Sequence, residues 1–168
     1  MKIHHFLGSD VSSSKIIDRL ISLGVKIFIG HDKNNIKNAS IVVYSSAIKQ
    51  NNPEIVEAKK LFIPIIHRSE MLSELMKLKK SIAIAGTHGK TTTTSLISKI
   101  LDTNKMDPTI INGGIISSLA SNAKLGQGQW MVVEADESDG SFSKLMPTVA
   151  VITNCLLYTS PSPRDPTK

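Results

Sequence analysis

The chain has 168 residues, enough for one ordinary domain or for a small domain and part of another. Hydrophobic residues make up 40% and charged residues 20%, a globular balance, and no run approaches the ~20 apolar residues of a membrane span. The single cysteine, Cys155, excludes an internal disulfide framework and a Cys-rich zinc site, and it fits a reducing, cytoplasmic setting. The net charge of +6 comes from scattered lysines. Aromatic residues are only 4%, so a base-stacking surface for nucleic acid is not expected.

Along the chain, strand-like and helix-like segments alternate. Met1 to His5 lead straight into a strand-like segment, so no signal peptide is expected, and Ile3 to Leu7 reads as a strand ending at Gly8-Ser9-Asp10. Ser12 to Ser14 offer helix caps, and Ile16, Ile17, Leu20, Ile21 and Leu23 form an apolar face that Gly24 terminates. Val25 to Ile29 is a second strand, followed by a polar Asn/Lys loop and a third strand, Ile41 to Tyr44. Pro53 suits a first helical position, with Ile55, Val56 and Leu61 on one side of the helix. Phe62 to Ile66 predicts a short strand placed at a sheet edge by Pro64. Ser69 to Leu78 predicts a helix with Met71, Leu72, Leu75 and Met76 inward, and Lys77, Lys79 and Lys80 form a polar connector.

A second unit begins at Ser81. Ile82 and Ile84 belong to a buried strand that runs into Gly86-Thr87-His88-Gly89-Lys90-Thr91. Strand, glycine-rich loop and helix in that order form a cradle for phosphate. Loop N–H groups and the helix N-terminus attract the anion, Lys90 adds a mobile charge, and the Thr91 hydroxyl suits magnesium. The usual spacing would place glycine at 84, where Ile84 stands, so this is a shortened form of the motif. The helix runs from Thr92 to Leu101, with Leu96, Ile97, Ile100 and Leu101 as its apolar positions. Further strands are expected at Pro108 to Ile111, Trp130 to Ala135 and Thr148 to Thr153.

This alternation predicts parallel α/β sheets, whose ligands sit beyond the carboxyl ends of the strands. Glu134-Ala135-Asp136-Glu137-Ser138-Asp139-Gly140 is expected at that edge, with Glu134 the best candidate to hold a metal ion. The other acids of the run read equally well as a solvated loop. Asn112-Gly113-Gly114 ends a strand, as a ligand approach or as a plain turn. His4, His5, His31 and His67 show no pairing that suggests zinc. Residues 155–168, rich in Pro and Ser, read as a disordered or foreign tail.

Taken together, these residues resemble the Mur ligases of peptidoglycan synthesis. The match rests on Gly8-Ser9-Asp10, Leu23 to His31, Ser45 to Ile48, Ala85 to Thr94, Asn112-Gly113-Gly114, Glu134 to Asp139 and Ile152-Thr153-Asn154. The resemblance implies a Rossmann-like domain for a uridine nucleotide over 1–79 and the first part of an ATP-binding central domain over 80–154. It implies ATP and Mg2+ as cofactors. It also implies ligation of L-alanine to UDP-N-acetylmuramate through an acyl phosphate, in the cytoplasm, without nucleic acid or membrane partners.

By position, Gly86, Thr87, His88, Gly89, Lys90, Thr91 and Thr92 would cradle ATP, with Lys90 and His88 catalytic and Thr91 and Glu134 on the metal. Asp10, Ser45 and Ser46 would lie near the uridine nucleotide, and His88, Asn112, Gly113, Gly114 and Ser138 toward the muramoyl part. The family's opening strand with its G-x-G-x-x-G loop, and its amino-acid domain, have no counterpart here. The chain by itself is therefore expected to be inactive. Rival readings are a tripeptide-adding recycling ligase, which would carry tyrosine where Ser138 stands, a folylpolyglutamate synthase-like ligase, and a non-catalytic nucleotide-binding module.

Overall fold

The computed structural model describes residues 6–116, 121–135 and 145–154. These form two compact units, one ending at Met71 and one starting at Leu72, both of mixed α/β type with parallel strands.

The first unit begins with β1 (Leu7–Asp10), so Gly8, Ser9 and Asp10 lie within the strand, which ends at Asp10. Ser14 caps α1 (Lys15–Ser22), its hydroxyl accepting from the Ile17 N–H, and Gly24 leaves the helix with φ +85°. Of the expected apolar face only Ile17 is buried. Ile16, Leu20, Ile21 and Leu23 are exposed. β2 (Lys26–Ile29) pairs in parallel with β1. The Asn/Lys loop contains a short 3-10 turn, Lys33–Ile36, capped by Asp32 and anchored by buried Ile36. β3 (Val42–Tyr44) pairs in parallel with β4 (Ile65–His67).

Between them, α2 (Pro53–Lys60) opens with Asn52 as cap and Pro53 in its first turn. Its buried residues are Glu54, Ile55 and Ala58, while Val56 and Leu61 are exposed. Phe62, expected in a strand, instead takes a left-handed turn at φ +55° and is exposed. The strand therefore starts only after Pro64.

α3 (Arg68–Met76) leads to β5 (Lys80–Ala85). Lys79 is no polar connector. Its ammonium donates to Thr109 Oγ1 (2.9 Å) and to the carbonyls of Gly126 (2.6 Å) and Gly128 (2.8 Å).

α4 (Lys90–Thr103) follows β5, then β6 (Thr109–Ile116), β7 (Ser121–Lys124), β8 (Trp130–Glu134) and β9 (Val149–Ile152). The sheet order is β7-β6-β8-β5-β9. All pairs are parallel except β6–β7, an antiparallel partner that sequence periodicity did not show. Met76, Ala83, Met131 and Val133 form the core on one side of the sheet, with Leu72, Ile111 and Leu145 against them. Alternate residues Ile84, Val132 and Ile110 are buried on the other face. Asn112, Gly113 and Gly114 fall inside β6 and do not end it, so the turn reading is corrected.

Candidate functional site

β5 lies between β8 and β9, and the glycine-rich loop leaves it at the carboxyl ends of all three strands. Gly86 has φ +129°, a conformation open to glycine, and a Cβ there would also collide with Thr153 and the Asn154 backbone. Gly89, at φ +81°, sits at the start of α4 and provides no side-chain cap.

The loop is pinned from the β9 side. The Thr87 N–H donates to the Asn154 carbonyl (3.3 Å), and the His88 N–H donates to Asn154 Oδ1 (3.0 Å). The His88 carbonyl accepts from Thr153 Oγ1 (2.6 Å) and from Asn154 Nδ2 (3.1 Å). His88 thus holds the loop's shape through its main chain, and its residue is exposed. Thr153 and Asn154 were not singled out as site residues. The available signal was their place at the end of the strand expected at Thr148 to Thr153, although that strand, β9, is an exposed edge strand.

From the β8 side comes Glu134. Its Oε2 accepts from Thr91 Oγ1 at 3.0 Å and from the Gly113 N–H at 3.1 Å. A Cβ at Gly113 would stand 3.2 Å from the Glu134 carboxyl carbon, so the carboxylate would have to shift by a few tenths of an ångström. The Lys90 ammonium donates to the Gly86 carbonyl at 2.6 Å, folding over its own loop. Carboxylate, hydroxyl and ammonium thus converge on one edge of the sheet from β8 and the first turn of α4. Thr92 is exposed on the same first turn.

Asn112 is buried, with neither polar side-chain atom partnered. The expected site residue Ser138, with Asp136, Glu137 and Asp139, lies outside the described residues, as does the tail from Cys155 onward. Among the described residues no cluster of three His, Cys, Asp or Glu could hold a metal by itself. The Glu134 carboxylate with the Thr91 hydroxyl offers the all-oxygen partial set that suits Mg2+, which keeps several of its waters.

In the first unit, Asp10 and Ser45 line one cavity of about 710 Å³ at the carboxyl ends of β1 and β3. Ser46 does not join them: it is exposed, and its hydroxyl meets His67 Nε2 at 3.1 Å. Sequence spacing missed a buried cluster beside that cavity. Glu54 accepts from Ser9 Oγ (2.7 Å) and Asn35 Nδ2 (2.7 Å) and lies 3.3 Å from His31 Nδ1. His31 comes one residue after β2, the one clue that it would stand at a ligand-facing strand end.

The sequence matches the profile "Mur ligase family, catalytic domain" over residues 2–80 and "Mur ligase middle domain" over residues 84–156. UDP-N-acetylmuramate–L-alanine ligases of Parvibaculum lavamentivorans and Cereibacter sphaeroides are each 56% identical to it over 88% of the chain. The chain spans only 30% and 31% of the length of those relatives. Among solved structures, the UDP-N-acetylmuramate–alanine ligase of Thermotoga maritima superposes with a TM-score of 0.83 at 34% identity, over 90% of this chain and 36% of that one. A UDP-N-acetylmuramate:L-alanyl-gamma-D-glutamyl-meso-diaminopimelate ligase from Neisseria meningitides gives 0.78 at 26% identity, over 89% of this chain and 52% of that one. Two adjoining family profiles, close relatives and a shared fold with its phosphate loop in place make this chain a member of the Mur ligase family.

Proposed function

We propose that the chain is the nucleotide-handling portion of an ATP-dependent carboxylate–amine ligase that joins L-alanine to UDP-N-acetylmuramate. The observation that carries this is the junction of Thr91 with Glu134 at 3.0 Å, beside Lys90 on the glycine loop. Two elements far apart in sequence meet there to offer what a triphosphate and its cation need. The alanine-adding reading is supported by the two 56%-identical relatives. It is supported too by the higher identity to the alanine ligase structure, 34% against 26% for the tripeptide-adding one.

In this reading residues 80–154 bind ATP. Gly86 to Thr92 cradle the phosphates, and Lys90 neutralises the charge that develops on the transferred phosphoryl group. Thr91 and Glu134 hold Mg2+, which would supply further charge neutralisation. His88, Asn112, Gly113, Gly114 and Ser138 face the muramoyl group, and Asp10 and Ser45 face the uridine nucleotide on residues 1–79. The carboxylate of the nucleotide sugar attacks the γ-phosphorus of ATP, ADP leaves, and the acyl phosphate then accepts the amine of alanine with loss of phosphate. The setting is the cytoplasm. Among the described residues no helix is long and apolar enough to cross a membrane.

The test is calorimetric titration of the 168-residue chain with ATP and Mg2+. Saturable binding is expected, weakened roughly tenfold to a hundredfold in Lys90→Ala, the worth of one or two charge-assisted hydrogen bonds. Equal binding by wild type and Lys90→Ala would end the phosphate-loop assignment. Alanine-dependent ADP release is expected to be absent from this chain alone. Its appearance would show that residues 1–168 already contain the amino-acid site.

A further inference from the structure

β9 outruns the strand it pairs with. The parallel ladder between β5 and β9 runs from Ile82 opposite Val149 to Ala85 opposite Ile152, and there β5 turns into the glycine-rich loop. Thr153 and Asn154 continue past that point, alongside residues 86–88. Gly86 has no Cβ, which lets them come this close: a side chain there would stand 2.8 Å from the Asn154 carbonyl oxygen.

The side-chain contacts fall on one residue of the loop. The His88 N–H donates to Asn154 Oδ1 at 3.0 Å, and the His88 carbonyl accepts from Asn154 Nδ2 at 3.1 Å. The Asn154 amide thus takes both main-chain groups of His88, as a neighbouring strand would. An amide carries a donor and an acceptor on one rigid plane, and asparagine is the shorter of the two side chains that end in one. Turning the amide over would set oxygen against oxygen and N–H against N–H, so the network fixes its orientation. Asn154 is itself exposed, and its amide is no part of the core. The ladder along Ile82 to Ala85 already holds β9 on β5, so what these further bonds hold is the loop.

The loop's donors are divided by this contact. The Thr87 N–H donates to the Asn154 carbonyl at 3.3 Å and the His88 N–H to its side chain, so both point at β9. An anion in the loop is then met by the main-chain N–H groups from Gly89 onward, on the α4 side, where the helix N-terminus adds positive potential. A loop whose shape is set before the ligand arrives loses less freedom on binding and holds the ligand more tightly. We propose that Asn154 is a positioning residue of the phosphate site: its amide fixes the main chain of His88, aims the N–H groups of Gly89 to Thr91, and so sets the affinity for a triphosphate that it does not touch. This rests on the phosphate-loop reading given above.

The experiment follows the backbone amides of the 168-residue chain by NMR and titrates Mg2+-ATP by calorimetry. Without ligand, the His88 amide is expected to exchange about tenfold or more slowly than an unprotected one. Mg2+-ATP is expected to shift the amides of Gly89, Lys90 and Thr91 more than those of Thr87 and His88. Asn154→Ala is expected to weaken Mg2+-ATP about tenfold and to speed His88 exchange, with the circular dichroism spectrum unchanged. Asn154→Asp keeps the acceptor for the His88 N–H but sets a carboxylate against the His88 carbonyl and beside the phosphates. It is expected to bind more weakly than Asn154→Ala at about pH 7.5 and to recover toward wild type, measured at the same pH, by about pH 5, because the protonated carboxyl has a donor again. A role in folding alone would not make ATP affinity follow the charge of that one group. Unprotected His88 in the wild-type chain overturns the proposal. So does wild-type affinity in Asn154→Ala while Lys90→Ala is weakened, a result that leaves the phosphate-loop reading standing. Loss of affinity in Asn154→Ala together with loss of its melting transition overturns it as well, because Asn154 is then part of the fold. Wild-type affinity in both Asn154→Ala and Lys90→Ala ends the phosphate-loop reading and this proposal with it.

Discussion

Gly113 is the position where one methyl group tests the proposed cation site. Its N–H holds Glu134 Oε2 at 3.1 Å, and a Cβ would press on the carboxyl carbon from 3.2 Å. A strand backbone accepts alanine readily, so Gly113→Ala should leave the fold intact and push Glu134 off its present line to Thr91. The expected result is an about tenfold weaker Mg2+-dependent affinity for ATP, with the Mg2+-independent part unchanged, read by titration at several Mg2+ concentrations. The Asn-Gly-Gly triplet shows why sequence alone misplaced this residue. Paired glycines usually punctuate a turn. The crowding at 113 comes from a side chain 21 positions away, and no local pattern carries that information. Glu134 itself was legible, because a carboxylate at the end of a buried run needs a partner. His31 and Glu54 were not, since their meeting depends on how β1, β2 and α2 come together.

At the scale of the element, α4 was legible as a helix, but its apolar spacing does not show which face it buries. Leu96 and Ile100 are exposed at about 60%, while Thr94 and Ser98 are buried. Small polar residues let the helix approach the sheet closely, and close approach places Thr91 against Glu134. The cost is two buried hydroxyls, Thr94 Oγ1 and Ser98 Oγ, without partners. Thr94→Val keeps the shape and removes one of them, so it should stabilise the chain by about 1 kcal/mol in urea denaturation.

Lys79 makes the opposite case. Lys79→Met leaves the Gly126 and Gly128 carbonyls without the ammonium that binds them, and should cost about 2–3 kcal/mol in the same assay. A lysine following a helix reads as solvated surface, so only the structure reveals that it clamps the loop before β8.

The end of β7 carries a pH signature. The Gln127 N–H, and then Lys124, hold the Asp107 carboxyl below its usual range, while Asp102 and Asp107 raise the Lys124 ammonium above its own. Asp107 therefore contributes stability that is complete above the ordinary carboxylate range and lost as pH falls through its lowered value. Lys124 contributes stability that is complete below the ordinary lysine value and lost as pH rises through its raised one. Asp107→Asn should flatten the acid side of the melting-temperature profile and leave neutral pH nearly unchanged, as expected for an exposed pair.

For the whole molecule, the two units bury separate sets of apolar side chains. Ile17, Ile36, Ile55 and Ala58 are buried in the first, and Met76, Ala83, Met131 and Val133 form the core of the second. The change from a lysine-rich link to a phosphate-loop strand puts the expected boundary between residues 79 and 80, whereas the two compact units divide between Met71 and Leu72, within α3. The split of the first unit's strands into two pairs was not legible, because period and composition report what a strand is and not which neighbour it lacks. Separate cores predict separate responses to ligand. A ligand that binds only the folded form stabilises the unit that holds it, by about 2.7 kcal/mol at a hundredfold excess over Kd. The residues proposed to bind ATP all lie after Leu72, so Mg2+-ATP should raise the melting transition of the second unit by several degrees and leave that of the first where it was. Trp130, the single tryptophan, starts β8 and reports the second unit by fluorescence, while Tyr44 lies in β3 of the first. A parallel rise of both transitions with Mg2+-ATP would show that the units unfold as one cooperative body and that the two cores are not independent.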